Sequence, residues 1–260
     1  MPPRIPTPED FTPIQQALPL TLAFPDPPES TTAILILFHG LGDSEAPFAS
    51  FARAMSLPGV LAISVRGPSP LPPSMLPDDA SSTTTGHFHW GDDLTMDSET
   101  DDLSPDPGFS RAANLVTERL IRETLLDRCG WELSDIILFG FGQGGSLALG
   151  LASQLRLGPK VVDVTDGGKG QKADEGTLKG VLSIGGPLPH SMVPTVSTRG
   201  KSKTKACLVQ LDDDAFDAVK EEFLDVRMVR WKRKDVAMPR DREEMFPLMK
   251  FFAECLKSGW

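Results

Sequence analysis

The chain has 260 residues, of which 40% are hydrophobic, and it carries a formal net charge of −10. A chain of this length and composition can bury a sizeable core, so a single domain is the expected organisation. The excess of acidic residues argues against electrostatic binding to nucleic acid or to an anionic membrane surface, because phosphate groups would be repelled.

The cysteines and the N-terminus bear on the cellular compartment. Cys129, Cys207 and Cys255 are odd in number and far apart, which suits reduced thiols better than a disulfide framework or a metal site. The first residues lack the apolar run of a signal peptide, and no stretch approaches the roughly 20 apolar residues that cross a bilayer. These features predict a cytoplasmic protein without integral membrane association and without a nucleic-acid partner.

Short apolar runs alternate along the chain with segments of helical periodicity. The arm 1–30 contains several prolines and is expected to lie extended along a sheet edge. The apolar runs are continuous, as in parallel strands that are covered on both faces. In chain order, strands are predicted at 33–38, 60–65, 135–139, 180–184, 206–211 and 226–231, and helices at 46–55, 108–129, 144–155, 216–224 and 243–256. This alternation indicates the α/β class with right-handed crossover connections.

Two stretches interrupt the alternation of strands and helices. Residues 68–107 are rich in proline, serine, threonine and aspartate, and residues 158–179 combine four closely spaced Gly and Lys residues at 167–170 with many charges. Both compositions predict loop insertions. The expected organisation is therefore one α/β domain over residues 1–260, with an N-terminal arm and two loop insertions.

The glycine-rich segment at residues 140–146 carries the strongest catalytic signal. It follows an apolar strand and opens a helix, which is the layout of a nucleophile elbow with the pattern G-x-S-x-G. Gly140 and Gly144 hold the two small outer positions, and Gly142 holds the nucleophile position. Glycine adopts the strained backbone of such a turn without penalty, yet Gly142 has no hydroxyl group that could attack a carbonyl carbon.

A second turn, H-G-L-G-D at residues 39–43, follows the first buried strand. In ester hydrolases a turn of this kind directs a backbone N–H at the developing oxyanion, and the second donor is the N–H just after the nucleophile. The two oxyanion donors are therefore expected to be the amides of Leu41 and Gln143.

These two turns, with the L-S-I-G-G-P-L-P segment at 182–189, make the chain resemble the phospholipase/carboxylesterase family, which includes acyl-protein thioesterases and lysophospholipases. The segment 86–93 corresponds to the family's S-W-F-D stretch, which precedes a helix. The resemblance implies an α/β-hydrolase fold, with a mostly parallel central sheet and helices on both faces. It further implies an acyl ester, a thioester or an acylated protein as the ligand, and no cofactor.

The resemblance also implies where the other two triad residues should stand. After the strand at 206–211 the family carries G-D-x-D-x-x-V, which places Asp214 at the acid position. The family's histidine stands six residues before the acidic residue of an E-M run, and counting back from Glu244 places Met238 at the base position. No histidine follows His190. The expected protein is a pseudoenzyme that lacks the nucleophile serine and the base histidine and retains a ligand- or protein-binding role.

Alternative interpretations of function stay open at this stage. The preserved oxyanion turn also suits an active carboxylic-ester or thioester hydrolase with an atypical or misaligned site, in which His190 is a candidate substitute base. A structural subunit with a collapsed pocket is a third possibility. Asp214, in the acidic run 212–214, can equally be a solvated carboxylate without a catalytic role.

The remaining polar residues near the motifs have structural interpretations. His39 is expected to be held by backbone hydrogen bonds, and Ser146 is expected to be a helix residue that faces away from the elbow. His87 and His89 stand close to two aspartates, but no further ligand completes a tetrahedral or octahedral set. No metal is therefore expected.

Overall fold

A central seven-stranded sheet organises the molecule. The computed structural model of the protein describes residues 3–76, 86–94, 103–104, 106–155, 176–194 and 200–257. Across the sheet the strands are Leu20–Ala23 (β1), Val60–Val65 (β3), Ala33–Phe38 (β2), Ile136–Phe141 (β6), Gly180–Ile184 (β7), Ala206–Val209 (β8) and Val226–Val229 (β9). β1 is antiparallel to β3, and the other neighbouring pairs are parallel. Ser69–Pro70 (β4) and Phe88–His89 (β5) pair in a separate antiparallel ribbon.

Helices cover both faces of this sheet. The α-helices of the described residues are Pro8–Phe11 (α1), Glu45–Met55 (α2), Ser110–Asn114 (α3), Gln143–Gln154 (α4), Asp213–Glu222 (α5) and Arg242–Lys257 (α6). A π-helix, Leu115–Arg128, continues directly from α3. In the part of the chain that the structure describes, no helix combines the length and the apolar character that a membrane span requires.

Alternate residues of each central strand point to opposite layers of the core. In β2, Ile34, Ile36 and Phe38 pack into the layer that contains α4 and the π-helix. Leu35 and Leu37 pack into the layer that contains α2 and α6. All six residues of β2 are buried, which explains why a continuous apolar run, without polar alternation, marks this strand in the sequence.

Most of the predicted elements are confirmed, with shifted ends. The strands at 33–38, 60–65 and 180–184 have the predicted bounds. The strand predicted at 206–211 ends at Val209, because Gln210 has a left-handed backbone with φ 57° that turns the chain away from the sheet. The strand predicted at 226–231 ends at Val229.

Two loop or arm predictions were wrong in part. The arm 1–30 is not extended throughout, because α1 forms where Pro8 opens the helix and the Thr7 N–H donates to the Asp10 carboxylate at 2.8 Å. Within the arm, β1 does lie at the sheet edge as expected. The insertion 68–107 contains the β4–β5 ribbon, and its residues 77–85, 95–102 and 105 lie outside the described residues. Most of the insertion 158–179 also lies outside them.

The sheet brings the two sequence motifs together at one edge. β2 and β6 are adjacent and parallel, and Phe38 pairs with Gly140. The turn after β2 and the turn after β6 therefore lie side by side beyond the carboxyl ends of the strands, which is where open α/β sheets place ligand sites.

Candidate functional site

Gly142 occupies a sharp turn between β6 and α4. Its backbone has φ 51° and ψ −122°, a conformation that strains residues with a side chain. The Gly142 N–H donates to the carbonyl oxygen of Ile184 at 2.8 Å, which ties the turn to β7. A Cβ atom on Gly142 would lie 4.0 Å from its nearest neighbour, the Cα of Gly40. The turn thus has the backbone of a nucleophile elbow and open space for a side chain that is absent.

The outer glycines of the motif are required by close backbone contacts. A Cβ on Gly140 would lie 2.1 Å from the carbonyl oxygen of Gly144, and a Cβ on Gly144 would lie 2.4 Å from the carbonyl oxygen of His39. No side chain fits at such distances without moving the backbone. The elbow therefore keeps the steric requirements of the motif at both flanking positions.

The amides of Leu41 and Gln143 lie next to the elbow on two different elements. Gln143 is the first residue of α4, so its N–H has no partner within the helix. Among the described residues, neither amide has a hydrogen-bond acceptor. The Gln143 side chain accepts a hydrogen bond from the Trp90 N–H at 2.7 Å, which anchors the start of α4 to segment 86–93. Both predicted oxyanion donors are thus available to a ligand.

Backbone groups hold His39 behind this turn. Its Nε2 accepts from the Gly67 N–H at 2.8 Å, so the ring proton is on Nδ1, which donates to the carbonyl oxygen of Gly40 at 2.7 Å. The Trp90 indole donates to the His39 carbonyl at 2.8 Å. Burial lowers the pKa of His39 to about 4, so the ring is neutral at pH 7. His39 therefore shapes the turn, as expected, and both of its ring nitrogens are occupied.

The buried neutral His39 predicts a specific loss of stability in mild acid. The pKa of His39 falls from an ordinary 6.5 to about 4 on folding, so between these values the unfolded chain binds the extra proton. The free energy of unfolding should therefore decrease as the pH falls from 7 to 5, and His39 should account for about 2 kcal/mol of the decrease. Denaturant titrations at both pH values, on the native chain and on His39→Gln, measure this difference. Equal pH dependence in the two proteins would contradict it.

Asp214 is exposed near the beginning of α5 and makes no hydrogen bond or ion pair with the described residues. Its two neighbours are engaged, since Asp212 accepts the Ala215 N–H at the helix start at 2.7 Å and Asp213 pairs with Arg230. Asp214 shares the wall of a small pocket of about 280 Å³ with the exposed His190. The predicted acid position thus holds a carboxylate that no described residue engages, and His190 lies at the same pocket.

Met238 lies in the loop between β9 and α6, where its side chain is half-buried against the core layer of α6. Arg233 holds this loop: it donates to the carbonyl oxygens of Ala237 at 3.2 Å and Met238 at 3.0 Å, and pairs with Glu244 at 2.7 Å. Sequence reasoning missed Arg233, because its role depends on bonds to backbone carbonyls that no sequence motif marks.

The same loop reaches the chain segment beside the elbow. A Cβ on Gly185 would lie 2.1 Å from Cγ1 of Val236, and a Cβ on Gly186 would lie 2.2 Å from the Gly142 carbonyl oxygen. Within the described residues, however, no hydrogen bond or ion pair connects positions 142, 214 and 238. The structure thus brings the loop that contains Val236 against the segment beside the elbow, but among the described residues it forms no relay between the three positions.

In segment 86–93, His87 and Asp92 have structural partners. His87 Nδ1 lies 2.8 Å from the Gly42 carbonyl oxygen, and His89 is buried in β5. The Asp92 carboxylate accepts the N–H groups of Ser110 and Arg111 at the start of α3, as a residue that precedes a helix can do. Among the residues that the structure describes, no three His, Cys, Asp or Glu side chains are grouped as metal ligands.

The thiols are unsuited to act as nucleophiles. Cys129, Cys207 and Cys255 are buried and not in disulfides. Burial raises the pKa of Cys207 to about 12 and that of Cys255 to about 11, and burial also raises the pKa of Cys129. All three therefore stay protonated at neutral pH, whereas the thiolate is the reactive form.

Comparison with known sequences finds a family model that covers more than half of the chain. The family model of the phospholipases/carboxylesterases matches residues 23–162, which include Leu41, Gly142 and Gln143. An uncharacterized hydrolase of Schizosaccharomyces pombe is 33% identical over 159 residues, 61% of this chain and 55% of that protein. One of Mycosarcoma maydis is 30% identical over 128 residues, 45% of this chain and 40% of that protein. This chain thus spans about half the length of these relatives.

Solved structures share the fold over nearly the whole chain. Acyl-protein thioesterase 2 of Zea mays superposes with a TM-score of 0.54 at 18% identity, over 91% of this chain and 98% of that one. The esterase PE8 superposes with a TM-score of 0.60 at 15% identity, over 90% and 97%. With the mostly parallel sheet, these matches show the α/β-hydrolase fold. Because the family model covers residues 23–162, more than half of the chain, the chain belongs to the phospholipase/carboxylesterase family of α/β-hydrolases.

Proposed function

We propose that this protein is a pseudoenzyme of its family, which binds a ligand or a protein and does not hydrolyse esters. The observation that carries the proposal is the backbone of Gly142, with φ 51° and ψ −122° in an intact elbow and no hydroxyl group. Met238, at the base position, is an apolar side chain packed against the core. Two of the three triad functions are therefore missing together.

The sizes of the catalytic contributions of the missing groups favour a protein without useful turnover. Removing the nucleophile or the base of a serine hydrolase costs several kcal/mol in the barrier, whereas an oxyanion hole alone leaves roughly a thousandfold acceleration over water. Loss of both groups is also coherent chemically, since without a serine there is no proton for a histidine to accept. Hydrolysis by the two amides of Leu41 and Gln143 alone would be very slow.

Within the described part of the chain, neither Ser146 nor a cysteine offers a replacement nucleophile. Ser146 lies within α4 and is only 2% exposed. The three cysteines are buried thiols whose raised pKa values keep them protonated.

Buried free cysteines also support a reducing compartment, and we propose a cytoplasmic location on that basis.

An active hydrolase with an atypical site is the second candidate. It is favoured by the two amides, Leu41 and Gln143, that have no acceptor among the described residues. Asp214 and His190 at one small pocket offer a carboxylate and an imidazole for a different relay. In such an enzyme water or a substrate group would have to be the nucleophile.

Hydrolysis of short and medium p-nitrophenyl esters by the native chain separates the two candidates. We expect a rate equal to that of a buffer blank. The control is Leu41→Pro, which removes one oxyanion donor while leaving Gly142 and Met238 unchanged. Turnover above the blank in the native chain, abolished in Leu41→Pro, would establish an active site at the elbow and refute the pseudoenzyme.

A further inference from the structure

A cavity of about 630 Å³ opens beside the edge strand β1, at the end of the sheet opposite to the elbow. Its floor is a row of paired residues that crosses three strands, namely Leu35 of β2, Ala62 of β3 and Ala23 of β1. Gly59 and Val60, where β3 begins, also line the cavity, whereas the elbow follows the carboxyl end of β6. The cavity is therefore a site separate from the elbow.

Small side chains leave this space open between the sheet and α2. Ala62 and Ala23 line it from the sheet, and Ala52 lines it from the helix. Protein interiors are close-packed, and few voids in them exceed the size of a water molecule. The volume here lies in the range of about 300–1,000 Å³ that is typical of small-molecule sites. The cavity can thus take a ligand with an apolar body.

Two side chains of opposite charge stand at the walls of the cavity. Arg53 of α2 and Asp26, which follows β1, both line it and both are exposed. They form no ion pair with each other, and neither side chain has a hydrogen-bonding or charged partner among the described residues. The residues one turn before and one turn after Arg53 along α2 are uncharged, and Glu29 does not line the cavity. Both charges are therefore available to a ligand.

The end of α2 contributes to the polarity of the same cavity. The helix ends at Met55, and Ser56, Leu57 and Pro58, which follow it, line the cavity. The carboxyl end of a helix carries a partial negative charge, which favours a cation, as Asp26 does. A simple cation would nevertheless be repelled by the arginine, and a simple anion by the aspartate. A zwitterion can pair with both.

We propose that this cavity binds a small zwitterion with an apolar body, which is the chemistry of an apolar amino acid or a short apolar peptide. The ammonium group pairs with Asp26 and the carboxylate with Arg53. The apolar side chain lies on the floor of the cavity, over Ala62 and Ala23. This site goes beyond the binding role proposed above, because neither oxyanion turn nor elbow residues line it.

Isothermal titration calorimetry on the full native chain tests the proposal with L-leucine and L-leucyl-L-leucine, which represent the two sources of this chemistry. N-acetyl-L-leucine lacks the ammonium group, L-leucinamide lacks the carboxylate, and glycine lacks the apolar body. We expect saturable binding of at least one of the two zwitterions, and an affinity at least about tenfold lower for the three control ligands. The zwitterion that binds more tightly identifies the source.

Substitutions in the cavity locate the bound ligand. Arg53→Gln and Asp26→Asn should each weaken binding at least about tenfold, because each removes one charged partner. Ala23→Leu should also weaken it, because the larger side chain fills the cavity from the edge strand. The matched controls are Arg242→Gln and Asp127→Asn, which remove the same charges at exposed positions that do not line the cavity, and they should change the affinity less than about twofold. Circular dichroism checks that each variant folds.

The proposal would be overturned if neither zwitterion bound, if N-acetyl-L-leucine or L-leucinamide bound as tightly as the zwitterions, or if the two control variants lost as much affinity as the cavity variants. Undiminished binding in a folded Ala23→Leu variant would also contradict it, because the ligand would then lie elsewhere. Ester hydrolysis by the native chain would refute the pseudoenzyme and leave these titrations unchanged, so the two failures are distinguishable.

Discussion

Replacing Gly142 by serine and Met238 by histidine in one chain is expected to create ester hydrolysis that the native chain lacks. A serine side chain has room at position 142, where the nearest atom to a Cβ is 4.0 Å away. The amides of Leu41 and Gln143 are the proposed oxyanion donors, and Asp214 is an exposed carboxylate without a hydrogen bond or ion pair to the described residues. Under the proposed assignment, the double variant supplies the nucleophile and the base that the native chain lacks.

The gain in esterase activity from the two substitutions should be strongly non-additive. Triad residues act as a unit, so Gly142→Ser alone and Met238→His alone should each stay near the blank. We expect the kcat/KM of the double variant for p-nitrophenyl butyrate to exceed that of either single variant by at least about a hundredfold. The matched control, Gly142→Ser with Met238→Gln, introduces a polar side chain that cannot act as a base, and it should remain inactive.

A double variant that folds but hydrolyses no ester would contradict the assignment of position 238 to the base. The loop at Met238 is held by Arg233, and the structure forms no relay between positions 142, 214 and 238. Activity in Gly142→Ser alone would instead show that another base, with His190 as the first to test, serves the elbow. Leu41→Pro in the active background should abolish the rate in either case.

Gly140→Ala is expected to be the most destabilising single substitution in the elbow. The added methyl group would lie 2.1 Å from the Gly144 carbonyl oxygen and 2.5 Å from the Gly145 nitrogen. Both contacts are with backbone atoms, so relief requires β6 and α4 to move apart. We expect a loss of at least about 3 kcal/mol in the free energy of unfolding. Chemical denaturation of the variant and the native chain measures it.

Two matched glycines separate steric contact from backbone strain. Gly142→Ala has open space but a positive φ of 51°, so it should cost about 1–2 kcal/mol. Gly86→Ala meets no atom within 4 Å and should change stability by less than about 0.5 kcal/mol. Equal losses in the free energy of unfolding for Gly140→Ala and Gly86→Ala would contradict the close backbone contacts at the elbow.

The central strands and the two turns could be predicted because their determinants are local. Every residue of β2 is buried, so a continuous apolar run marks this strand in the sequence. Gly140 and Gly144 are required by close contacts with backbone atoms, either a few residues away in the chain or on the neighbouring strand β2 and its turn. The family motif of the elbow has glycine at both of these positions, so the close packing can be read from the sequence. The two turns that contain Leu41 and Gln143 lie side by side because β2 pairs with β6.

Features that depend on distant partners were not predictable from the sequence. Arg233 is one of several cations in a basic stretch, and only the folded loop brings it to the Ala237 and Met238 carbonyls and to Glu244. The β4–β5 ribbon lies in a stretch whose composition indicates a loop, and each of its strands has only two residues.

The absence of an activated nucleophile is tested most directly with a fluorophosphonate probe, which forms a covalent adduct with activated serines. The native chain should show no adduct by intact mass, and the Gly142→Ser, Met238→His double variant should gain one adduct that peptide mapping locates at position 142. Stoichiometric labelling of the native chain, lost when Leu41→Pro removes the oxyanion donor, would contradict the pseudoenzyme and reveal a nucleophile elsewhere at the elbow.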